Sequence, residues 1–548
     1  MDRLAEGSRP GFVTTAAALL LARAEDDRPA LFFGDQTWSF RQLVREAGRR
    51  ASFLLDQLNG AAPPHVGVLL DNVPEYIFWL AGAALSGSVV VGINSTYRGD
   101  QLAQLVAFTD CQLVITSSDK RPLLEGLDLG LGEDRIIAVD TPEYGDLLPA
   151  ESAVLVSEVR PEDLFLLIFT SGSTGMPKAV RCTHGRFATT GSHVATVTQL
   201  AAGDVVYAPL PFFHSSSLFT GWSSSLTAGV PIAIRSRFSA SGTLTDVRRH
   251  RATVLTYTGK VLNYILAVPE RPDDGNTTLR LAIGNEASMR DITEFARRFD
   301  CDVRDSYGST EGIIIIRRDP SMPPTALGQA GETVKVLDSE TGLECPPAEF
   351  DDQGQVKNWS AAVGEIVETA PSSGFEGYYK NEEATQARFR GGAYWSGDLA
   401  YRDPDGWFYF AGRSNEWLRV DGENFAAAPV EAIIGRFPGV RSVAVYAVPD
   451  DPVGDRVMAA VELEDDRPVD PGEFDRFVAG QPDLGTKWTP AFVRFVSELP
   501  KLASMKIDKQ RLRREAWRSD GVWWRQKKGG QLELMSEADR ERLQHLLP

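Results

Sequence analysis

The sequence predicts an α/β fold in more than one domain, on three observations. Its 548 residues exceed one ordinary core, and at roughly 150 residues per domain they suggest three or four folding units. Short apolar runs alternate with helix-period segments for most of the length, the pattern of sheets covered by helices. After Gly412-Arg413 a fresh, smaller α/β pattern begins, and the roughly 130 residues that remain suffice for a separate domain. Hydrophobic residues at 43% and charged residues at 24% give the balance of a globular chain rather than a disordered one.

The elements follow in order. An apolar stretch runs from Phe12 to Ala22, but Asp2 and Glu6 cancel Arg3 and Arg9, and Thr14 and Thr15 interrupt it. An amphipathic first helix is expected there rather than a secretion signal. Tyr76 to Ile93 is 18 residues without a charge, with Gly82, Gly87 and Gly92, and it contains Val89-Val90-Val91. That fits a buried helix turning into a core strand better than a bilayer span. Val66–Leu70, Cys111–Thr116, Leu164–Thr170 and Pro231–Arg235 read as buried strands, and Arg98–Phe108 and Met289–Phe299 as helices. In the last part Trp417–Val420 reads as a strand, Pro429–Arg436 as a helix, and Val443–Val448 and Val457–Glu462 as strands.

Charge and cysteine usage exclude several classes. Lys and Arg number 57 against 75 acidic residues, a net −18, which argues against nucleic acid or an anionic membrane as a whole-surface partner. Peripheral membrane contact and the oligomeric state stay open. Against this background Lys501 to Lys528 holds ten basic and three acidic residues; a solvated helix face and a surface for a polyanion both fit. Cys111, Cys182, Cys301 and Cys345 form no C-x-x-C pair, and no H-E-x-x-H occurs. A reducing cytoplasm without a structural metal is expected.

The strongest local signal is Leu167-Ile-Phe-Thr-Ser-Gly-Ser-Thr-Gly-Met-Pro-Lys178. A buried strand runs into small residues and hydroxyls, then a lysine. Gly172 and Gly175 let backbone N–H groups turn toward phosphate oxygens. Ser171, Ser173 and Thr174 add hydroxyl donors, and Lys178 adds a positive charge. The spacing is not that of a Walker A loop.

With this loop the chain resembles the adenylate-forming superfamily of acyl-CoA synthetases, peptide-synthetase adenylation domains and luciferases. Its pattern [ST]-S-G-[ST]-T-G-x-P-K is matched from Thr170 to Lys178. Tyr307-Gly-Ser-Thr-Glu-Gly312 resembles the family's aromatic-G-x-T-E segment, and Gly397-Asp398 with Gly412-Arg413 its G-D…G-R pair. Gly422-Glu423-Asn424 resembles its G-E-N turn, and Lys506 its C-terminal catalytic lysine. Ile283-Gly-Asn-Glu286, Trp417 to Asn424 and the tail through Val522-Trp-Trp524 are similar to the fatty-acid-transport-protein-like branch and its actinobacterial fatty-acid–CoA ligases.

The resemblance implies a large N-terminal domain of stacked sheets covered by helices (1–414). It also implies a small mobile C-terminal lid (415–548) that carries the catalytic lysine. It further implies ATP, Mg2+ and coenzyme A. Ser171 to Lys178 would hold the β- and γ-phosphates, Thr310 would donate to the α-phosphate, and Glu311 would ligate Mg2+. Tyr307, leading into Gly308 and Ser309, would stack on adenine, with Asn285 and Glu286 at its edge. Asp398 would take both ribose hydroxyls and Arg413 would reach the ribose or phosphate. Lys506 would bridge the α-phosphate and the attacking oxygen. Rotation about the hinge then brings Gly422-Glu423-Asn424 to the thiol. Asn415 stands in that hinge, where many relatives carry Asp or Lys.

For the acid substrate, His214 after Pro211-Phe-Phe is expected either at the mouth of the acyl pocket or in a structural role. Ile313 stands where relatives usually place Gly or Asn, so its branched side chain occupies volume a long acyl chain would need. Ile314 to Ile316 are expected as a core strand. The expected activity is AMP-forming activation of a carboxylic acid followed by transfer to coenzyme A. Two alternatives remain at this level: activation of a small acid such as nitrite for an aryl amine, without coenzyme A, and a non-catalytic binder.

Overall fold

A computed structural model describes residues 14–58, 60, 62–150, 158–170, 178–259, 261–318, 322–323, 326–351, 356–371, 374–413, 417–420, 423–449, 455–464, 469–481, 484, 487–502, 506–526 and 530–546. Its contacts divide the chain into two compact units, residues 1–313 with 372–387, and residues 314–371 with 388–548. The boundary expected at 414/415 falls within the second unit.

The first unit is α/β with two sheets. One runs in the order 136–138, 111–116, 65–68, 89–92, 164–170, 178–183, parallel except for its last pair. The other runs 302–308, 281–285, 254–258, 206–208, 232–234, 29–33 in parallel, with 36–39 returning antiparallel. The uncharged stretch resolves as expected: Pro74–Ser86 is a helix, Gly87 closes it at φ 72, and Val89–Gly92 is a strand. Every residue of that helix from Tyr76 to Ser86 is buried, so it is a core helix, apolar on all sides. It packs on helix Phe40–Gln57, which starts with a Ser39–Gln42 capping box. The first helix, Ala16–Leu21, is capped by Thr15 and buries Ala16, Ala17 and Leu20.

In the second unit, strands 334–337, 364–368, 393–402 and 408–413 form an antiparallel sheet. Trp417–Val420 pairs with Glu423–Ala426. A further sheet runs 440–449, 455–463, 492–496, 522–524, 533–534. Its two faces bury different sets. Val443, Val445 and Val457 pack on one side, while Ala444, Tyr446, Met458, Trp517 and Trp524 pack on the other, as the two-residue strand period requires. The expected helix at Pro429–Arg436 lies at Ala427–Ile434.

One expectation is corrected. Ile314 and Ile316 are buried, but Ile315 is 44% exposed, because strand Ile315–Arg317 alternates its faces. Among the described residues no helix is long and apolar enough to cross a membrane.

Candidate functional site

Strand Leu164–Thr170 leads into the phosphate-loop motif. Phe165 to Ile168 are at most 2% exposed, so the strand is held on both faces. Its partner Lys178–Thr183 returns antiparallel, with Thr170 opposite Lys178, and the Thr170 hydroxyl donates to the Lys178 carbonyl at 3.4 Å. Thr170 and Lys178 therefore form the neck of the loop. Ser171, Gly172, Ser173, Thr174 and Gly175 lie outside the described residues. The Lys178 ammonium stands 5.2 Å over the ring of Tyr378, within cation–π range.

Two neighbouring parallel strands deliver the next group at their carboxyl ends, where α/β sheets place ligands. Strand Leu281–Asn285 ends at Asn285, whose Oδ1 is buried with no hydrogen-bond partner among the described residues. Glu286 follows at φ 67, a left-handed conformation uncommon outside glycine. The turn is pinned from below: the Ala287 N–H donates to Asp305 Oδ2 at 3.0 Å, and the Tyr257 hydroxyl donates to the same oxygen at 2.9 Å.

Strand Asp302–Gly308 carries Tyr307 and Gly308 at its end. Ser309 then starts a tight turn in which its carbonyl accepts from the Gly312 N–H at 3.0 Å, with Gly312 at φ 74. The turn leaves Gly308 and Ser309 exposed and buries Glu311. Thr310 is fixed from two sides. Its Oγ1 lies 3.2 Å from Ser215 Oγ, and its carbonyl accepts from the Arg186 guanidinium. Glu311 Oε1 accepts from the Tyr378 hydroxyl at 2.7 Å.

His214 lies two residues before a π-helical stretch, Ser216–Ser223, a backbone form often found beside functional sites. Its carbonyl accepts from the Leu218 N–H at 3.2 Å, and its ring lies 4.5 Å from that of Phe213. Ile313 is half-buried, and a Cβ built on Gly374 would lie 3.4 Å from its Cγ1.

The second unit holds the remaining residues. Asp398 is 8% exposed and stands opposite Arg413 across the 393–402/408–413 pair. Ser396 Oγ accepts from the Asp398 N–H at 3.1 Å and donates to the Ile366 carbonyl at 2.7 Å. Gly397 sits at φ 78, and its N–H reaches Glu365 Oε1 at 2.5 Å. Burial raises the Glu365 pKa, against the opposing pull of that N–H. The side chains of Arg413, Glu423 and Asn424 lie outside what the structure describes, as do Gly422 and Asn415. Lys506 is partly exposed; its carbonyl accepts from the Leu502 N–H at 2.8 Å, and Lys501 bridges Ile507 beside it. Part of the basic charge after it is paired: Lys509 with Glu431 at 3.0 Å, Arg511 with Glu515 at 2.8 Å, and Arg525 with Asp475.

Ser215, Arg186 and Tyr378 escaped the sequence reading. Ser215 had a faint signal, since it adjoins His214. Arg186 and Tyr378 had none, because their partners lie 124 and 67 positions away.

Residues 20–379 match the family model "AMP-binding enzyme", and residues 429–506 match "AMP-binding enzyme C-terminal domain". The chain belongs to the AMP-binding enzyme family. It is an AMP-forming ligase of the acyl-CoA synthetase type. A steroid-22-oyl-CoA synthetase of Rhodococcus jostii (strain RHA1) is 45% identical over 92% of this chain and 92% of its own. The medium/long-chain-fatty-acid–CoA ligase FadD17 of Mycobacterium tuberculosis (strain ATCC 25618 / H37Rv) is 42% identical over 93% and 98%. The structure of ATP-bound MatB from Rhodopseudomonas palustris superposes with a TM-score of 0.77 at 24% identity, covering 91% of this chain and 98% of that one. This last likeness is one of fold.

The residues present fit the nucleotide and its metal. The Asn285 carbonyl oxygen lacks a donor, and a purine amino group is a donor of the kind it lacks. The buried Glu311 carboxylate is an oxygen ligand of the kind Mg2+ takes, an ion that keeps several waters and needs few protein ligands. Among the described residues no cluster of three or more His, Cys, Asp or Glu could hold a metal.

Proposed function

We propose that this protein activates a carboxylic acid with a large apolar body, of the fatty-acid or steroid side-chain kind, and passes it to coenzyme A. The observation that carries this reading is the 309–312 turn. It aims Thr310 and Glu311 from one rigid strand end, with each held by a partner from elsewhere in the fold. The two 42–45% identical relatives, whose names specify apolar acids, support the substrate class.

In the first half-reaction the acid's carboxylate oxygen bonds to the α-phosphorus of ATP, and the bond to the pyrophosphate oxygen breaks. Lys178 and the loop it closes hold the β- and γ-phosphates, and the Thr310 hydroxyl donates to the α-phosphate. Asn285 and Tyr307 fix the adenine, and Asp398 the ribose. Lys506 supplies the cation that meets charge developing between the attacking oxygen and the phosphorus. Glu311 would hold Mg2+, which when bound would neutralise charge on the phosphate oxygens. In the second half-reaction the thiol sulfur bonds to the acyl carbon and AMP leaves. The 415–548 segment acts as a lid that withdraws Lys506 and presents Gly422-Glu423-Asn424.

The test is pyrophosphate release with Mg-ATP across medium and long fatty acids, aryl acids, steroid acids, and nitrite with an aryl amine, each with and without coenzyme A. Coenzyme A-dependent turnover of an apolar acid is expected. Turnover of nitrite plus amine regardless of coenzyme A would replace this reading with diazo chemistry. Silence across the panel would reduce the protein to a binder.

A further inference from the structure

Residues 372–387 belong to the first unit, although the chain on both sides of them belongs to the second. Within the first unit residues 377–379 lie as a short added strand along Lys178–Thr183. The Arg181 N–H donates to the Gly377 carbonyl at 3.0 Å, the Tyr379 N–H donates to the Ala179 carbonyl at 2.8 Å, and Val180 bridges Tyr378 antiparallel. Side chains lock this short strand at both ends. The Glu376 carboxylate takes the Thr183 N–H at 2.7 Å and the Thr183 hydroxyl at 2.6 Å. Asp110 receives the Tyr379 hydroxyl and the Lys380 ammonium, each at 2.6 Å.

Tyr378 sits between those anchors, 4% exposed. It touches two groups of the nucleotide site at once. Its hydroxyl donates to Glu311 Oε1 at 2.7 Å, and its ring lies 5.2 Å beneath the Lys178 ammonium. A glutamate on a turn has three rotatable bonds, and a hydrogen bond to one oxygen fixes where the other points. A ring face beside an ammonium likewise restricts a flexible lysine.

We propose that Tyr378 is a positioning residue of this site: it holds Glu311 in the rotamer that presents Oε2 to the metal–nucleotide complex and holds the Lys178 ammonium over its own ring. The inference rests on reading Glu311 as the metal ligand. Partners that orient a metal-binding carboxylate are worth about 10- to 100-fold in metal affinity.

The test is calorimetric titration of the full chain with a non-hydrolysable ATP analogue, once with Mg2+ and once with EDTA, with thermal melting recorded alongside. Tyr378→Phe keeps the ring and removes only the hydroxyl. It is expected to bind the analogue in EDTA as the wild type does, and to lose about tenfold of the affinity gained on adding Mg2+. Tyr378→Ala also weakens binding in EDTA, because Lys178 loses its platform. Tyr379→Phe loosens the same strand at Asp110; it lowers the melting temperature and leaves the Mg2+ gain intact. Glu311→Gln separates the two levels of the argument. If Glu311→Gln loses the Mg2+ gain and Tyr378→Phe keeps it, Tyr378 is structural only and the Glu311 reading stands. If Glu311→Gln keeps the gain, the metal-ligand reading fails and takes this inference with it. An equal loss in Tyr379→Phe and Tyr378→Phe would assign the effect to strand docking and overturn the proposal.

Discussion

Gly284 is the residue whose replacement tests how the fold holds the nucleotide side of the site. It lies on strand Leu281–Asn285, directly opposite Tyr257 of the neighbouring strand. A methyl group at Gly284 falls inside contact distance of the Tyr257 carbonyl oxygen and lies 2.7 Å from ring atoms Cγ and Cδ2. Neither neighbour gives way readily. The carbonyl belongs to the backbone of a core strand, and the fully buried ring is tied through its hydroxyl to Asp305 at 2.9 Å. Overpacking in a core costs about 1–3 kcal/mol, and rigid neighbours place this case near 3 kcal/mol. A loss of that size lowers the melting temperature of a unit this large by roughly 4 °C.

The displacement also has a functional reading. Moving Tyr257 disturbs Asp305, which pins the Ala287 N–H behind the left-handed Glu286. The turn that carries Asn285 then shifts, so ATP affinity falls by about tenfold, the equivalent of one hydrogen bond near 1.4 kcal/mol. Thermal melting and calorimetric titration with ATP measure the two effects. The control is Gly145→Ala, where an added Cβ meets nothing within 4 Å; it leaves both quantities unchanged or slightly raises stability. Gly284→Ala melting within a degree of the wild type with unaltered ATP affinity would show that the strands relax and that this reasoning is wrong.

Three further outcomes are expected. His184 is fully buried against Phe165, with rings 4.6 Å apart, and burial lowers its pKa from 6.5 to about 4. The unfolded chain therefore protonates first as pH falls. Stability present above pH 6.5 is lost toward pH 4 at about 1.4 kcal/mol per pH unit, or about 2 kcal/mol by pH 5. His184→Phe removes that component from the denaturant-midpoint profile, and parallel profiles for the two proteins would contradict it. Lys506→Ala slows adenylation by about a hundredfold or more while sparing thioester formation from a supplied acyl-adenylate; equal loss of both half-reactions would overturn the two-geometry account. Ile313→Gly extends acceptance toward longer acyl chains, measured as kcat/KM along a fatty-acid series, and an unchanged profile would return Ile313 to ordinary packing.

What the sequence declares and what it conceals divide along a physical line. Leu164–Thr170 and Met289–Phe299 have the expected bounds, because each carries its own ends: a continuous apolar run in one, and a Ser288 cap accepting from the Asp291 N–H in the other. The strand expected at Val443–Val448 spans Val440–Pro449 instead, since pairing with Asp455–Leu463 recruits Ser442 and Pro449; a partner strand is invisible in a local window. The isoleucine run misleads for the opposite reason. Four identical residues carry no period, so only the sheet decides that Ile315 faces outward while Ile314 and Ile316 face inward. The same division runs through the site. Thr310 and Glu311 stand out in the sequence because a tight turn needs its residues contiguous. The atoms that aim them come from Ser215, 95 positions from Thr310, and Tyr378, 67 positions from Glu311. A hydroxyl or a carboxylate gains catalytic use from a direction as well as an identity. The motif supplies the identity, and only the closed tertiary fold supplies the direction.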